Sequence, residues 1–169
     1  YGAKGTSVTY TAQWQAIAYT IHFSATGASG ATADQTYQFD GTTQNTLNRN
    51  GFSMSGKRFL GWSLTDGAST ADYADGALIN TTLQNAMANS NGSITLYAVW
   101  QELYTVTYSY DPSLPAEVQA TIPKDPDTYT VGQKVTTAAK PNSVRVGEYI
   151  WTFKTWKLGN TEVAPNTQV

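Results

Sequence analysis

Cysteine is absent from this 169-residue chain, and the absence removes several chemistries at once. Without thiols the protein can form no disulfide, no thiolate zinc site and no cysteine nucleophile. Histidine is nearly as scarce, because His22 is the only one. We interpret His22 as a strand residue, on the face opposite Ile21 and Phe23 in the alternating segment 19–23. A Ser–His–Asp triad has little support, because only one histidine is available as the base and no Gly-x-Ser-x-Gly elbow is present.

Charged residues make up only 13% of the chain and are scattered along it. A formal net charge of −2 with no basic stripe argues against nucleic acid as a partner. No run approaches the ~18 apolar residues that cross a bilayer, so we expect no membrane insertion. Tyr1 begins a strand-like sequence with no signal peptide ahead of it, which indicates an excised or processed piece.

The abundant residues are Tyr, Trp, Thr and Val, and Gly and Asn recur at short intervals. This usage is typical of short strands joined by turns, and it predicts a β-rich (α+β) chain. Strands are expected near 19–25, 34–40, 57–63 and 94–100. Turns are expected at 26–28, 40–41, 50–51, 66–67 and 75–76.

One short amphipathic helix is predicted within Leu78–Ala88. Ile79, Leu83 and Met87 recur at intervals of four residues, as on one face of a helix. Thr81 or Thr82 is the expected N-cap.

The chain also contains an internal repeat. Val8–Gln15 and Ile94–Gln101 both end in Ala-x-Trp-Gln, and each leads within a few residues into a second strand-like segment beginning Tyr-Thr. Copying of the junction as well as the strand predicts an array of modules. Residues 1–15 would be the closing strand of a preceding repeat, 19–101 a complete module, and 104–169 a second β-rich module, truncated before its own closing strand.

Prolines punctuate this second module and limit where its strands can lie. The expected strands are Tyr104–Tyr110, Tyr129–Ala138 and Tyr149–Leu158, with Pro112–Pro126 as an irregular excursion. In the last strand, alternation puts Lys154 and Trp156 on one face and Trp151 on the other. One of these two tryptophans is therefore the better candidate for an exposed aromatic, whereas Trp14, Trp62 and Trp100 sit at motif positions typical of a core.

Other chemistries have weaker support. Asp72 and Asp75 could gather oxygen ligands for calcium, but EF-hand spacing is absent and Asp-Gly is more often a turn. No sequence feature brings together two of the glutamates Glu102, Glu117, Glu148 and Glu162, as glycoside hydrolysis requires. An isopeptide bond at Lys154 or Lys157 competes with the simpler interpretation of solvated lysines. We expect no catalytic residues, metal or cofactor.

Residues 19–101 resemble the Listeria–Bacteroides repeat, or internalin B-repeat, family. The resemblance rests on four segments: Phe23 with the Gly27/Gly30 turn, Gly56-Lys57-Arg58-Phe59-Leu60-Gly61-Trp62, Tyr73-Ala74-Asp75-Gly76, and Leu96-Tyr97-Ala98-Val99-Trp100. It implies a small β-grasp-like (ubiquitin-like) fold, repeated in an elongated array. It also implies extracellular, wall-associated proteins whose modules act as spacers and in adhesion, without catalysis.

Residues 104–158 are similar to a streptococcal high-identity tandem repeat or a mucin-binding-type repeat. The similarity is carried by segments 104–108 and 151–156, by the spacing of Pro115 and Pro123, and by Tyr129 and Gly132. It implies a rod-forming stalk element on a Gram-positive surface.

Two hypotheses follow from the sequence. The first is a structural stalk of a bacterial surface protein, with neighbouring repeat modules as its partners. The second is a module that binds a host or cell-wall glycan or protein, with Trp151, Lys154 and Trp156 as candidate contacts. Separately, Val8–Trp14 is expected to pair with a sheet edge, either in its own middle module or in the second module of a neighbouring molecule.

Overall fold

A computed structural model describes residues 5, 7–38 and 46–169. Strands hold 32% of the chain and helices 8%, which confirms the predicted β-rich class. The turn predicted at Asp40-Gly41 lies outside the described residues. The elements in chain order are β1 Ala18–Ser24, β2 Ser29–Gly30, β3 Gln35–Gln38, β4 Phe52–Ser53, β5 Lys57–Ser63, α1 Thr81–Ala88, β6 Ser93–Glu102, α2 Ala116–Gln119, β7 Val144–Val146, β8 Tyr149–Trp151, β9 Trp156–Leu158 and β10 Thr161–Val163.

The described residues fall into two compact units. The first lies within residues 1–55 and 59–100, and the second comprises residues 56–58 and 101–169. The short segment 56–58 groups with the second unit because it meets residues 101–103: the Leu103 N–H donates to the Gly56 carbonyl at 2.8 Å. Each unit is described separately below.

The first unit contains a four-stranded sheet with the order β3-β1-β6-β5. Strand β1 pairs antiparallel with β3, with Tyr19 opposite Tyr37. On its other side β1 pairs in parallel with β6, with Ile21 opposite Ile94 and Phe23 opposite Leu96. Alternate residues of β1 are buried, as expected of a strand with one face on the core. The strands predicted near 19–25, 57–63 and 94–100 are confirmed. The strand predicted near 34–40 is also present, as the shorter β3.

Helix α1 packs its apolar side into the same core. Leu83 and Met87 are fully buried, in line with the predicted periodicity. The N-cap prediction was wrong, because the Leu83 N–H donates to Oδ1 of Asn80 at 3.0 Å. Asn80 precedes both predicted threonines, and an amide side chain in extended backbone caps a helix well. The helix therefore begins after Ile79, which is buried ahead of it.

Trp62 lies at the centre of this core with no exposed surface. Its ring contacts Phe23 at 4.8 Å and Phe59 at 4.9 Å between centroids. Trp100 is only partly buried and reaches the cluster through Phe59, at 5.4 Å. The prediction that Trp62 belongs to the core is confirmed, and Trp100 lies at the margin of the same aromatic group.

Gly61 explains why a glycine precedes this tryptophan. Its φ is +146°, and a Cβ at this position would lie 2.3 Å from the Tyr73 carbonyl oxygen. That carbonyl accepts a hydrogen bond from the Trp62 N–H at 2.8 Å, and the Trp62 carbonyl accepts one from Tyr73. Glycine is required because the backbone of Tyr73 pairs alongside β5 at Trp62 and leaves no room for a Cβ at residue 61.

Three predicted features of the first unit differ in the structure. Asn50-Gly51 forms a side-chain (Asx) turn and not a backbone turn: Asn50 Oδ1 accepts from the Phe52 N–H at 2.9 Å, and a Cβ on Gly51 would lie 2.1 Å from the Ala31 carbonyl oxygen. That glycine therefore permits a close approach of two chain segments. Trp14 is 93% exposed and outside the core. The segment Val8–Trp14 forms no strand with its own unit, because nothing described lies beside it to complete a ladder.

The second unit contains two short hairpins, β7–β8 and β9–β10, and the four-residue helix α2. The continuous strand predicted over Tyr149–Leu158 is interrupted between β8 and β9. The strands predicted at Tyr104–Tyr110 and Tyr129–Ala138 are reduced to two isolated bridges, Tyr104 with Tyr129 and Thr136 with Gln168. The second segment is interrupted by a turn at Val131-Gly132, where the Gln133 N–H donates to the Thr130 carbonyl at 3.0 Å. The first contains no turn, but an alternating pattern does not become a strand until a partner completes its hydrogen bonds.

Candidate binding surface of the second unit

The second unit is organised around an aromatic cluster formed by Tyr108, Phe153 and Trp156. Both other rings lie 4.7 Å from the Trp156 ring. The Trp156 Nε1–H donates to the Ala138 carbonyl at 3.0 Å, and the Ala138 N–H donates to the Tyr108 hydroxyl at 2.6 Å. Trp156 is 9% exposed. Of the two tryptophans predicted on opposite faces, Trp156 is therefore the interior one.

A large open cavity lies against this cluster, and we call it the tyrosine groove. Its volume is about 580 Å³, within the range of sites that take small molecules or peptide segments. One wall is the segment 106–110, whose Val106, Tyr108 and Tyr110 line the groove together with Thr107 and Ser109. The remaining apolar lining comes from Leu114, Ile122, Val135, Phe153, Trp156, Leu158, Val163 and Val169.

A smaller cavity of about 200 Å³, the tryptophan pocket, is lined by Trp151, Lys154 and Asn142 together with the apolar residues of α2 and its flanks. Trp151 is 39% exposed. Leu114, Ile122 and Phe153 line both cavities. The sequence-predicted contacts are thus divided: Trp151 and Lys154 line the pocket, and Trp156 lies behind the groove.

The titratable side chains that line the two cavities are tyrosines and lysines. Among the described residues, no histidine, aspartate or glutamate lines either one. Lys154 Nζ lies 3.9 Å from Glu162 Oε1, and both side chains are largely exposed. A solvent-exposed pair of this kind contributes little to stability, so Lys154 remains free to contact a ligand. The surface offers apolar contacts, hydrogen bonds and two positive charges, Lys154 in the pocket and Lys157 in the groove.

Tyr129 carries the strongest electrostatic perturbation in this unit. Its hydroxyl donates to Asp125 Oδ2 at 2.8 Å, and this hydrogen bond, with the carboxylate charge, raises the pKa of Tyr129 to about 12. The phenolate would lose the bond and face a like charge. The backbone of Tyr129 also pairs with Tyr104 in both directions. The backbone pairing of Tyr104 with Tyr129 therefore fixes the position at which the groove wall begins.

The polar candidates of the first unit have local structural partners. His22 lies in β1, as predicted, and its Nδ1 is 2.8 Å from Asp34 Oδ2 on the exposed side. Asp72 accepts a hydrogen bond from the Ser63 hydroxyl at 2.6 Å, and Asp75 accepts one from the Asn50 N–H at 2.8 Å. In the described part of the chain, no three His, Asp or Glu residues are grouped to hold a metal ion.

Sequence reasoning missed the groove itself. Its signal was present in the segment 104–110, where apolar residues alternate with threonine and serine as in a half-buried strand. The sequence predicts a strand here in a module that lacks its own closing strand, but it does not show that the segment lines a cavity. No helix in the described ranges is long and apolar enough to cross a membrane. Comparison with protein-family models, curated proteins and solved structures found no match to the chain.

Proposed function

We propose that this chain is a non-catalytic spacer of a bacterial cell-surface protein, adhesin-like in organisation. The observation that carries the proposal is the parallel pairing of β1 with β6, the first and last strands of the first unit. In a stalk, tension enters a module through its two ends. The ends of this unit are held by adjacent strands in the middle of its sheet.

The direction of that pairing determines how the unit resists force. Pulling the start of β1 away from the end of β6 slides two parallel strands along each other, which loads the hydrogen bonds between them together. The pairing runs from Thr20 opposite Ser93 to Ser24 opposite Tyr97. Behind it, Ile21 and Leu96 are fully buried, so sliding would also expose core. A spacer under tension needs this arrangement.

The finer family and fold assignments belong to the same proposal. We infer a β-grasp-like module of the internalin B-repeat type, in an elongated tandem array. A hairpin whose first strand pairs in parallel with the last strand, with one helix in the same core, supports the fold assignment. The repeated strand and junction in the sequence support the array. An extracellular, wall-associated location follows from the resemblance and fits a cysteine-free chain.

Single-molecule pulling tests the spacer function, and the cysteine-free chain accepts unique handles. Handles at Ile17→Cys and Leu103→Cys load β1 and β6 in shear. Handles at Ile17→Cys and Asn91→Cys pull the same two strands apart from one end, so their bonds break one at a time. We expect a clearly higher unfolding force in the shear geometry. Equal forces in the two geometries would contradict the mechanical proposal.

A second function, binding of a host or cell-wall glycan, is favoured by one observation: the exposed face of Trp151 beside Lys154 and Asn142 in the tryptophan pocket. Aromatic faces stack on sugar rings, and the amide and ammonium groups would bind hydroxyls. A glycan array with the parent, Trp151→Ala and Tyr149→Ala tests it. Tyr149 is exposed but lines neither cavity. Specific binding lost only in Trp151→Ala would favour this function over the spacer.

A further inference from the structure

The groove wall in the second unit has unpaired backbone. Tyr104 pairs with Tyr129, but in the part of the chain that the structure describes no backbone N–H or C=O group of residues 105–110 forms a hydrogen bond. The segment is nevertheless extended, uncharged and free of proline and glycine. A row of free N–H and C=O groups beside an apolar groove is a site for strand addition.

The first unit shows which strand fits beside such a segment. Residues 19–24 read Tyr-Thr-Ile-His-Phe-Ser, and residues 104–109 read Tyr-Thr-Val-Thr-Tyr-Ser, so the wall is a second copy of β1. In the first unit β1 is paired in parallel with β6. Residues 93–101 of β6 read Ser-Ile-Thr-Leu-Tyr-Ala-Val-Trp-Gln. By analogy with β1, the strand that would pair with the wall is a β6-like strand in parallel orientation.

The chain carries one further copy of that strand. Residues 7–15 read Ser-Val-Thr-Tyr-Thr-Ala-Gln-Trp-Gln and match residues 93–101 at Ser, Thr, Ala, Trp and the final Gln. Every residue from 7 to 18 is exposed, including Tyr10 at 93%. Apolar side chains spaced for one strand face are left in water in this segment, whereas their counterparts Ile94 and Leu96 are buried.

We propose that residues 7–15 of one molecule add as a parallel strand to the wall 104–110 of a second copy, with their apolar side chains in the tyrosine groove. The pairing between β1 and β6 fixes the register. Val8 lies opposite Val106, Thr9 opposite Thr107, and Tyr10 opposite Tyr108. Because the two surfaces differ, the contact is heterologous and propagates from one molecule to the next, as a ring or as an open chain. This inference does not depend on the spacer proposal.

Mixed cysteine variants test the register directly. Full-length Thr9→Cys and full-length Thr107→Cys are mixed with oxidised glutathione, and disulfide-linked species are resolved by non-reducing electrophoresis. Neighbouring strands bring paired positions within the Cα separation that a disulfide tolerates, about 4.4–6.8 Å. The control pair, Thr11→Cys with Thr105→Cys, is displaced by four residues, or roughly 13 Å at ~3.3 Å per residue. We expect the linked heterodimer from the first pair at several times the yield of the second.

Two outcomes would overturn the proposal at this step. Equal yields from the two pairs would indicate random collision. A disulfide that forms within a single chain carrying both Thr9→Cys and Thr107→Cys, at high dilution, would make the occupant the same molecule and exclude a second copy.

Sedimentation velocity over a concentration series gives the independent measurement. We expect the parent to gain mass with concentration and Tyr10→Asp to remain monomeric, because a carboxylate would enter an apolar groove. Ile17→Asp is the matched control, since Ile17 is exposed but lies outside the repeated strand. It should associate as the parent does. A parent that stays monomeric throughout, or an Ile17→Asp variant as defective as Tyr10→Asp, would contradict strand addition.

Discussion

The two units of this protein are built from similar strand sequences but bury them to very different extents. Fourteen apolar side chains are buried among the described residues; thirteen lie in the first unit and one, Trp156, in the second. The first unit has a four-stranded sheet and the second only hairpins. A β1-like segment thus becomes a core strand when a β6-like strand lies beside it, and a groove wall when none does.

The sharpest test of this difference is truncation of the central aromatic of the first unit. We expect Trp62→Ala to lower the free energy of unfolding by about 3–5 kcal/mol, because it leaves a cavity among Phe23, Phe59 and Phe52. Trp14→Ala, in a related motif but 93% exposed, should leave stability almost unchanged. Urea denaturation followed by circular dichroism measures both. Similar losses in the two variants would mean that burial does not distinguish these tryptophans.

The close approach of the Tyr73 backbone to Gly61 should have the next largest effect on stability. We expect Gly61→Ala to cost about 3 kcal/mol or more, because positive φ and overlap with the Tyr73 carbonyl add together. Gly56→Ala is the control: it also has positive φ, at +70°, but its Cβ would meet open space. It should cost only about 1–2 kcal/mol. Thermal melts of the two variants would contradict this account if Gly56→Ala were the more damaging.

Capping of α1 is a smaller contribution to the first unit. Asn80→Ala removes the acceptor of the Leu83 N–H and should destabilise the protein by about 1 kcal/mol. Thr81→Ala serves as the control, because Thr81 is exposed within the first turn and does not cap the helix. Chemical denaturation resolves a difference of this size. If Thr81→Ala cost as much as Asn80→Ala, the cap would be misassigned.

The smallest effect concerns the second unit and its dependence on pH. The pKa of Tyr129 is raised from 10.0 to about 12 in the folded protein. A raised pKa means that the stabilisation is complete below pH 10 and is lost as the pH rises through about 12. Absorbance titration of tyrosinate should show a late-titrating group that is missing in Tyr129→Phe. In Asp125→Asn, Tyr129 should titrate at a lower pH than in the parent, because the carboxylate is gone. An unchanged pKa of Tyr129 in that variant would contradict the role of Asp125.

Much of the first unit could be predicted from local pattern. Alternation in segments 19–23 and 94–100 predicted two of its strands, and the four-residue spacing from Ile79 to Met87 predicted the buried side of α1. These predictions succeeded because β1, β6 and α1 each have a pairing or packing partner within the first unit. The N-cap was misassigned because Asn80 and Thr81 both have suitable side chains, and only the backbone conformation distinguishes them.

The same reasoning failed in the second unit for a physical reason. The segment 104–110 has a strand pattern as regular as that of β1, but strand formation depends on a neighbour that accepts and donates its hydrogen bonds. Trp151 and Trp156 differ in burial, but the strand predicted to carry both is interrupted between β8 and β9. A period of two residues would have placed them on opposite faces of one continuous strand.

The sequence by itself determined the β-rich class, the repeated strand and the absence of thiol chemistry, since composition and local periodicity are properties of the chain alone. Only the tertiary structure decided which copies of the repeated segments are buried. Trp62 and Trp14 both follow strand-like residues, but Trp62 meets three aromatic rings and Trp14 meets solvent. Burial depends on contacts between residues far apart in the chain, and no local pattern specifies them.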